Sequence, residues 1–435
     1  MYIKIKNGLD IPLSGSPTKK LQTLSLSQRV ALDLSPFDTL GVTLLIKEGA
    51  KVKVGEPLVE DKNCSGRFFV SPASGTIEVI IRGLKRKILS IVILVDQKQT
   101  QYRCRAGTIE NLMEGGLFPH IRMRPCERIA HPKLRPEIIF IKGIESAPYV
   151  PSPEIEVEGF EEVFTEGLKA LQKLAPVHLV YREGSTCSVL TEAKVETHTA
   201  SGPHPIGNSS VHIAAIHPIT ANDQVIWTLD ISDVIAIGMW VTKGHYYAEK
   251  VIAVAGEGIP EEERGYYRLN RGYALSALVK NWSNHCRYIS GDPLMGKKVE
   301  KESFLGFYHN VFCSLLRASE KREFLSFLKF YRKGYTLSKG YFFHQKKPHF
   351  TTRQHGEKRA FLDGEFYDQV MPLPIQTMPL IKSLITKDYE KSEALGLLEV
   401  APEDFALPSF ICPSKIEMVD IVKEGLKAYC EQHYT

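Results

Sequence analysis

A chain of 435 residues, 43% apolar and 24% charged, has the balance of a multidomain globular protein of about three or four domains and excludes wholesale disorder. The formal charge is a modest +5, and the longest apolar run, Ile88–Val95, has eight residues where a membrane-spanning helix takes about 20. The start Met1-Tyr-Ile-Lys-Ile-Lys-Asn-Gly lacks the features of a secretory signal, and the eight cysteines form no Cys-x-x-Cys pair. Together these predict a cytoplasmic protein with reduced thiols and neither structural zinc nor a self-contained iron–sulfur cluster.

Residues 41–95 read as short strands broken by turns. Val52 and Val54 alternate ahead of a Gly/Pro turn, and Ser71-Pro-Ala-Ser-Gly-Thr-Ile77 leads into Val79, Ile81 and the apolar run. The segment resembles the flattened β-sandwich of biotinyl and lipoyl carrier domains, in which a modified lysine sits on a tight hairpin. Val59-Glu-Asp-Lys62 stands near that position, but the hairpin through Asn-Cys-Ser-Gly-Arg-Phe-Phe is longer than the carriers use. Structural use of the sandwich is therefore expected in preference to modification.

Further along, Thr108 to Met113 predicts a short helix ending at Gly115-Gly116, and Pro136 to Lys142 predicts a buried strand. A helix carrying Phe160, Val163, Phe164, Leu168, Leu171 and Leu174 follows, stopped by Pro176 before the strand Val177 to Tyr181. Strand, helix and strand make a parallel βαβ unit, whose ligands would lie beyond the carboxyl ends of the strands. Val225 to Leu229, Val234 to Ile237 and Val251 to Val254 are expected to add short strands. Residues 266–316 suit a compact α+β module with a turn at Gly291-Asp-Pro-Leu-Met-Gly296. Helical spacing returns in Met378 to Leu397 and Lys415 to Gln432.

Charge is uneven, with twelve Lys/Arg and three Asp/Glu from Arg317 to Arg359 among many aromatics, then six against thirteen from Ala360 onward. The basic stretch suits nucleic acid or an anionic surface, or a solvated face paired with the acidic C-terminal region. Gly256-Glu-Gly258 follows a strand but lacks the third glycine of a dinucleotide loop and continues into acids, so an ordinary turn is expected.

The densest feature is the segment from His198 to Pro218, which holds four of the 14 histidines and three prolines and reads as a long structured loop. Its histidines, at 198, 204, 212 and 217, have no zinc spacing, and no cysteine or carboxylate cluster is seen to accompany them. No serine, cysteine or carboxylate lies in a recognisable nucleophile context.

Thr197-His-Thr-Ala-Ser-Gly-Pro-His-Pro-Ile-Gly, followed by Val211-His-Ile and Pro218, resembles the corresponding pattern of the A subunits of the bacterial Na+-translocating NADH:quinone reductases. The opening Ile3-Lys-Ile-Lys-Asn-Gly-Leu-Asp-Ile-Pro-Leu-Ser-Gly15 is similar to that family's, as are Ile121-Arg-Met-Arg-Pro125, Asp233-Val-Ile-Ala-Ile-Gly238 (a strand in this reading) and Ile411-Cys-Pro-Ser-Lys415. Asn208-Ser-Ser, Ala214 and Ser414 depart from the pattern.

The resemblance implies a multidomain α/β and α+β fold. It divides into an N-terminal barrel-sandwich over 1–105, a Rossmann-like domain over 106–258, a β-grasp module of the SLBB-like kind over 259–325 and a largely helical domain over 326–435. It also implies kinship with the NADH-binding subunit of complex I and the C subunit of the Rnf complex. Where those carry a glycine-rich flavin loop, this chain has Glu114-Gly-Gly-Leu-Phe-Pro-His120, and where they carry cluster cysteines it has Cys412 alone. The implied protein is a peripheral subunit on the cytoplasmic face of the inner membrane, docked on membrane subunits. It binds no flavin, iron–sulfur cluster or metal, and FAD, FMN, Fe–S and NADH reside on other subunits. The implied reaction passes electrons from NADH to ubiquinone with Na+ export. Ubiquinone is the expected ligand, and Phe118, His120, Arg122 and Arg124, facing His198, His204 and His212, are the candidate contacts to quinone or to a partner subunit. The alternatives are a nucleic-acid- or anionic-surface-binding protein and a stand-alone flavin or nucleotide enzyme.

Overall fold

The structure is a computed structural model and describes residues 1–18, 20–37, 40–102, 111–318, 350–353 and 358–433. Most of the basic 317–359 stretch, and the start of the helix expected at Thr108, lie outside the described residues.

The predicted sandwich forms. Arg29–Asp33, Ile88–Val95, Gly75–Arg82 and Lys51–Val52 make one antiparallel sheet, and Val42–Leu44, Pro57–Asp61 and Phe68–Val70 make the other. Val30, Leu32, Leu58, Phe69, Ile77, Ile91 and Ile93 fill the space between them. Lys62 is exposed at the start of the hairpin. The same hairpin buries Arg67, which bonds Asp61 and donates to the Ala130 carbonyl, tying the sandwich to the next domain.

The second sheet has seven strands in the order Tyr2–Lys4, Glu196–Ser201, Val177–Arg182, Ile138–Gly143, Ile226–Asp230, Arg122–Arg124, Arg128–Ile129. The first five are parallel, and the last two run antiparallel to their neighbours. Ile138–Gly143 and Val177–Arg182 are almost continuously buried because both faces are covered. The expected helix runs over Glu161–Gln172 and packs against a helix at Ile231–Lys243.

That second helix corrects the strand expected at Val234 to Ile237. Asp230 begins it, Gly244 ends it in the left-handed conformation, and its residues from Ile231 to Trp240 are all buried. A helix that is apolar all round has no period by which to tell it from a buried strand.

The histidine-rich segment is likewise not one long loop. His198 lies in the strand Glu196–Ser201 and His212 in the helix Ser209–Ile216, so only a turn through residues 202–208 is irregular. The prolines are confined to that turn and the end of the helix, which leaves room for regular structure on either side.

A six-stranded mixed sheet follows, in the order Lys297–Val299, Cys286–Ser290, Val311–Leu316, Glu249–Ala255, Gly265–Asn270, Leu21–Thr23. Glu249–Ala255, ahead of the expected boundary at 258, belongs to this sheet. The N-terminal segment stitches the domains together by giving Tyr2–Lys4 to one sheet and Leu21–Thr23 to the other. The C-terminal part is helical, with Thr377–Ile385, Tyr389–Ala394, Ala406–Ile411 and Met418–His433. Leu380, Leu384, Val422, Leu426 and Tyr429 share a core with Phe140, Val180 and Ile226, so these helices cover the second face of the parallel sheet.

That packing overturns the expectation of uniformly reduced thiols. Cys126 and Cys430, 304 residues apart, are joined as a disulfide with their Cα atoms 6.4 Å apart. Cysteine spacing gives no sign of it, because the final helix alone brings the pair together.

Candidate functional site

In an open parallel sheet the ligand crevice lies beyond the carboxyl ends of the strands where their order reverses. Ile138–Gly143 has Val177–Arg182 on one side and Ile226–Asp230 on the other, which places that point between Gly143 and Asp230. An ion-pair cluster fills it. Lys142 Nζ lies 2.7 Å from Glu145 Oε1 and 3.2 Å from Asp230 Oδ1. Burial first, then the Asp230 charge, push Glu145 up to about 7 against the pull of Lys142. Glu403, from the C-terminal part, is pushed up to about 8, again chiefly by burial. Next to it Asp404 accepts from Asn208 Nδ2 at 2.8 Å, and its Oδ2 caps the Ala401 amide at 2.8 Å. Glu145 and Glu403 can store protons here, and Lys142, already paired with Glu145 and Asp230, has no free charge to offer the phosphates that this position binds in nucleotide enzymes.

The seven residues singled out in the sequence are mostly interior. Phe118 meets Trp227 edge to face. His120 Nδ1 lies 3.1 Å from Asp233 Oδ1 and Nε2 lies 3.1 Å from the Tyr246 hydroxyl, while its ring lies on Phe307 at 5.0 Å. Burial and the Arg271 charge hold His120 at about 4, so it is neutral at pH 7. The network assigns Nδ1–H to Asp233 and leaves Nε2 to accept from Tyr246. Asp233 also receives Arg271 Nη2 at 3.3 Å. Burial alone would raise it, but the His120 hydrogen bond and the Arg271 and Lys250 charges keep it below the usual carboxylate range. Asp233 therefore locks the helix Ile231–Lys243 to the six-stranded sheet.

Arg122 bonds Glu127 and lies over the Tyr308 ring at 5.0 Å. Arg124, 1% exposed, donates to Ser210 Oγ at 2.8 Å and to the Glu399 carbonyl at 2.7 Å. His204 Nδ1 lies 2.9 Å from Ser146 Oγ, and His212 Nε2 donates to the Ile206 carbonyl at 2.8 Å. Burial holds both imidazoles at about 4.

His198 belongs to a cluster the sequence reading missed. Its Nδ1 lies 3.1 Å from the Met1 amine, its Nε2 lies 2.8 Å from His178 Nδ1, and His178 Nε2 lies 3.6 Å from Glu196. The donor set His178, Glu196 and His198 has the composition of a metal site. However, the two rings are parallel within 5° with centroids 5.0 Å apart. That separation exceeds the nitrogen–nitrogen distance by a full ring width, so the rings meet edge to edge in one plane. Their lone-pair directions point at each other along an N–H···N bond and do not converge on a third point. The cluster is a hydrogen-bond chain from the Met1 amine through His198 to His178, with the Glu196 carboxylate in longer-range charge contact beyond it, and it pins the edge strand Tyr2–Lys4.

The structure thus brings Arg124 to the helix of His212 through Ser210, and His204 and His212 to one turn. Among the described residues no bond joins His120 to His198, His204 or His212, so the single facing constellation expected from the sequence is instead several separate nodes. Of the seven, Arg122 alone is not buried. A surface groove of about 380 Å³ runs along Gln172 to Val177 and Glu196, at the opposite end of the sheet, and none of the seven lines it. Lys142, Glu145, Asp230 and Arg271 escaped the sequence reading, and Asp233 entered it only as the head of the Asp233–Gly238 segment. The one available signal was that Lys142 ends a predicted buried strand.

The glycines of the Glu114–His120 turn are packed against neighbouring side chains. A Cβ on Gly115 would lie 2.9 Å from the Trp240 ring, and one on Gly116 would lie 2.4 Å from Val70. These glycines admit the chain's own side chains where a phosphate would need to approach. At the Gly256 turn a Cβ would lie 2.1 Å from the Ser314 carbonyl, and on Gly258 2.3 Å from Cys286 Sγ. Both glycines there serve strand packing, as an ordinary turn requires.

Comparison with known proteins sets this geometry in a family. Residues 3–96 match the family model described as the NqrA N-terminal barrel-sandwich hybrid domain, and residues 105–246 match the NqrA second alpha/beta domain. The chain is 37% identical to the A subunit of the Na(+)-translocating NADH-quinone reductase of Chlamydia pneumoniae, covering 99% of this chain and 98% of the relative. It is 34% identical to the protein of the same name from Chlamydia trachomatis serovar D (100% and 99% covered) and 32% identical to that from Photorhabdus laumondii (98% of each).

Proposed function

The chain belongs to the NqrA family, the A subunits of the Na+-translocating NADH-quinone reductases, and from that premise we propose that it is the peripheral, cytoplasmic-face subunit of such a complex. In this role it serves assembly and the quinone-reduction step while other subunits carry the flavins, the iron–sulfur centre and the NADH site. One observation carries this reading. The crevice in which a Rossmann-like domain would hold its nucleotide is occupied by Lys142, Glu145 and Asp230 and covered by the chain's own Glu399 to Phe405 segment, through Arg124 and Asn208. Lys142 is already paired at that point, and the glycines at 115 and 116 pack against the chain's own Trp240 and Val70. No helix among the described residues is long and apolar enough to cross a membrane, so attachment to a membrane complex runs through surfaces.

For quinone, the partly exposed Arg122 offers a cationic donor beside the rings of Tyr308 and Phe307, which meet each other at 4.9 Å. A donor against an aromatic wall is what a quinone carbonyl and ring require. The test is purification from washed membranes through a tag on this chain. The expected result is recovery with a flavin-bearing, multi-subunit NADH-quinone reductase whose quinone reduction fails when this chain is missing, while the isolated chain shows no flavin absorbance. Recovery as a free chain, or with its own flavin, refutes the proposal. Arg122→Ala in the whole complex should raise the KM for quinone several-fold and leave NADH oxidation by an artificial acceptor unchanged.

A further inference from the structure

The strands Gly75–Arg82 and Ile88–Val95 form a hairpin whose far end stands clear of the sandwich core. At its tip Leu84 is 91% exposed, and Ile81 and Val79 behind it are 41% and 40% exposed. A leucine that protrudes this far gains nothing from the fold. Around it stand Arg82, Lys85, Arg86 and Lys87, and from Val79 to Val95 there is no acidic residue. Glu78 is committed to Arg29. Among the described residues no carboxylate pairs with Arg82, Lys85 or Arg86. Lys85 and Arg86 both adopt left-handed backbone (φ 54° and 57°), a conformation non-glycine residues avoid. Lys87 N–H donates to the Leu84 carbonyl across the pair, which closes the hairpin as a type I′ turn and presents both side chains outward.

We propose that this hairpin tip docks on an anionic lipid surface, with Leu84 in the headgroup region and Arg82, Lys85, Arg86 and Lys87 on lipid phosphates. The shape and charge favour lipid over protein as the occupant. The tip is convex, a single apolar point ringed by cations, whereas a protein partner wants a wider apolar patch with paired polar groups. Each cation near an anionic leaflet strengthens binding about fivefold. A four-cation tip is therefore a weak anchor alone and an orienting contact for a subunit held by others. The inference deepens the peripheral role proposed above and rests on it for its biological setting, but its chemistry is tested on the isolated full chain, so failure here leaves family membership and the subunit role untouched.

The experiment is co-sedimentation of the full chain with vesicles of phosphatidylcholine alone or mixed with phosphatidylglycerol. Binding is expected only with phosphatidylglycerol, falling steeply with salt. The R82Q/K85Q/R86Q/K87Q variant should bind at least tenfold more weakly and L84Q several-fold more weakly. Because these side chains are exposed and none belongs to the sandwich core, all should fold as wild type. In a second measurement, Leu84→Trp should shift its fluorescence to the blue on phosphatidylglycerol vesicles. Wild-type chain that ignores anionic vesicles, a quadruple variant that binds as well as wild type, or a tip tryptophan that stays in water would each overturn the proposal. The second outcome would move the contact to another basic region of the chain.

Discussion

Replacing Asp233 by alanine tests the node that joins the parallel sheet's helix to the neighbouring six-stranded sheet. The carboxylate is 7% exposed, accepts from His120 at 3.1 Å and meets Arg271 at 3.3 Å. Without it Arg271 stays buried beside Lys250 with no counter-charge, and Arg271 Nε already lacks a partner. Breaking a buried ion pair from one side costs about 3–5 kcal/mol, and the stranded His120 N–H adds about 1–3 kcal/mol. The two losses overlap, so a total of about 4 kcal/mol is expected, with about 2 kcal/mol for Asp233→Asn, which keeps an acceptor in place. Urea unfolding of the full chain measures it, as a lowered midpoint with unchanged slope in the transition that includes these two sheets. A loss below about 1 kcal/mol for the alanine variant, or no coupling between it and His120→Ala in a double-mutant cycle, would refute the reasoning.

Gly238→Ala should destabilise by about 2 kcal/mol or more, because the new methyl would lie 1.9 Å from the Val163 carbonyl where two helices touch. A variant with the wild-type melting temperature would contradict that contact. Glu403, raised to about 8 by burial, binds more protons folded than unfolded from about pH 4.5 upward. Its contribution to wild-type stability is therefore lost as pH rises through 8. Glu403→Gln does not titrate, so melting curves at pH 5.5 and 8 should show the variant gaining on wild type by about 1–3 kcal/mol at the higher pH. A gap independent of pH would exclude a raised pKa. Non-reducing peptide mapping of protein alkylated at lysis should yield one fragment joining Cys126 to Cys430. Two separately alkylated peptides would show that the pair is reduced.

Segments whose burial is one-sided or bounded by turns were legible in the sequence. The helix Glu161–Gln172 shows its apolar face at helical spacing, and the strands Ile138–Gly143 and Val177–Arg182 are short apolar runs closed by proline or charge. Val234 to Ile237 misled because a helix buried on all sides has no polar face to set its period. His178 went unnoticed because only strand pairing brings it to Glu196 and His198, which lie two residues apart in the neighbouring strand. The seven candidates, read from residue type and loop position, are interior except for Arg122. Burial holds six of them, with neutral imidazoles and the Arg124 guanidinium bonded to Ser210 and the Glu399 carbonyl across the joints between segments.

The sequence by itself determined the family, the order of sandwich, parallel sheet, mixed module and helices, and the lack of a dinucleotide fingerprint, since these are written in local pattern and motif. Only the tertiary structure decided that the first 23 residues stitch two sheets together and that the C-terminal helices close the parallel sheet. It alone also placed carboxylates from distant segments around Lys142 where a nucleotide would sit. Those are contacts between residues far apart along the chain, whose energies depend on burial and distance, and neither quantity exists until the chain has folded.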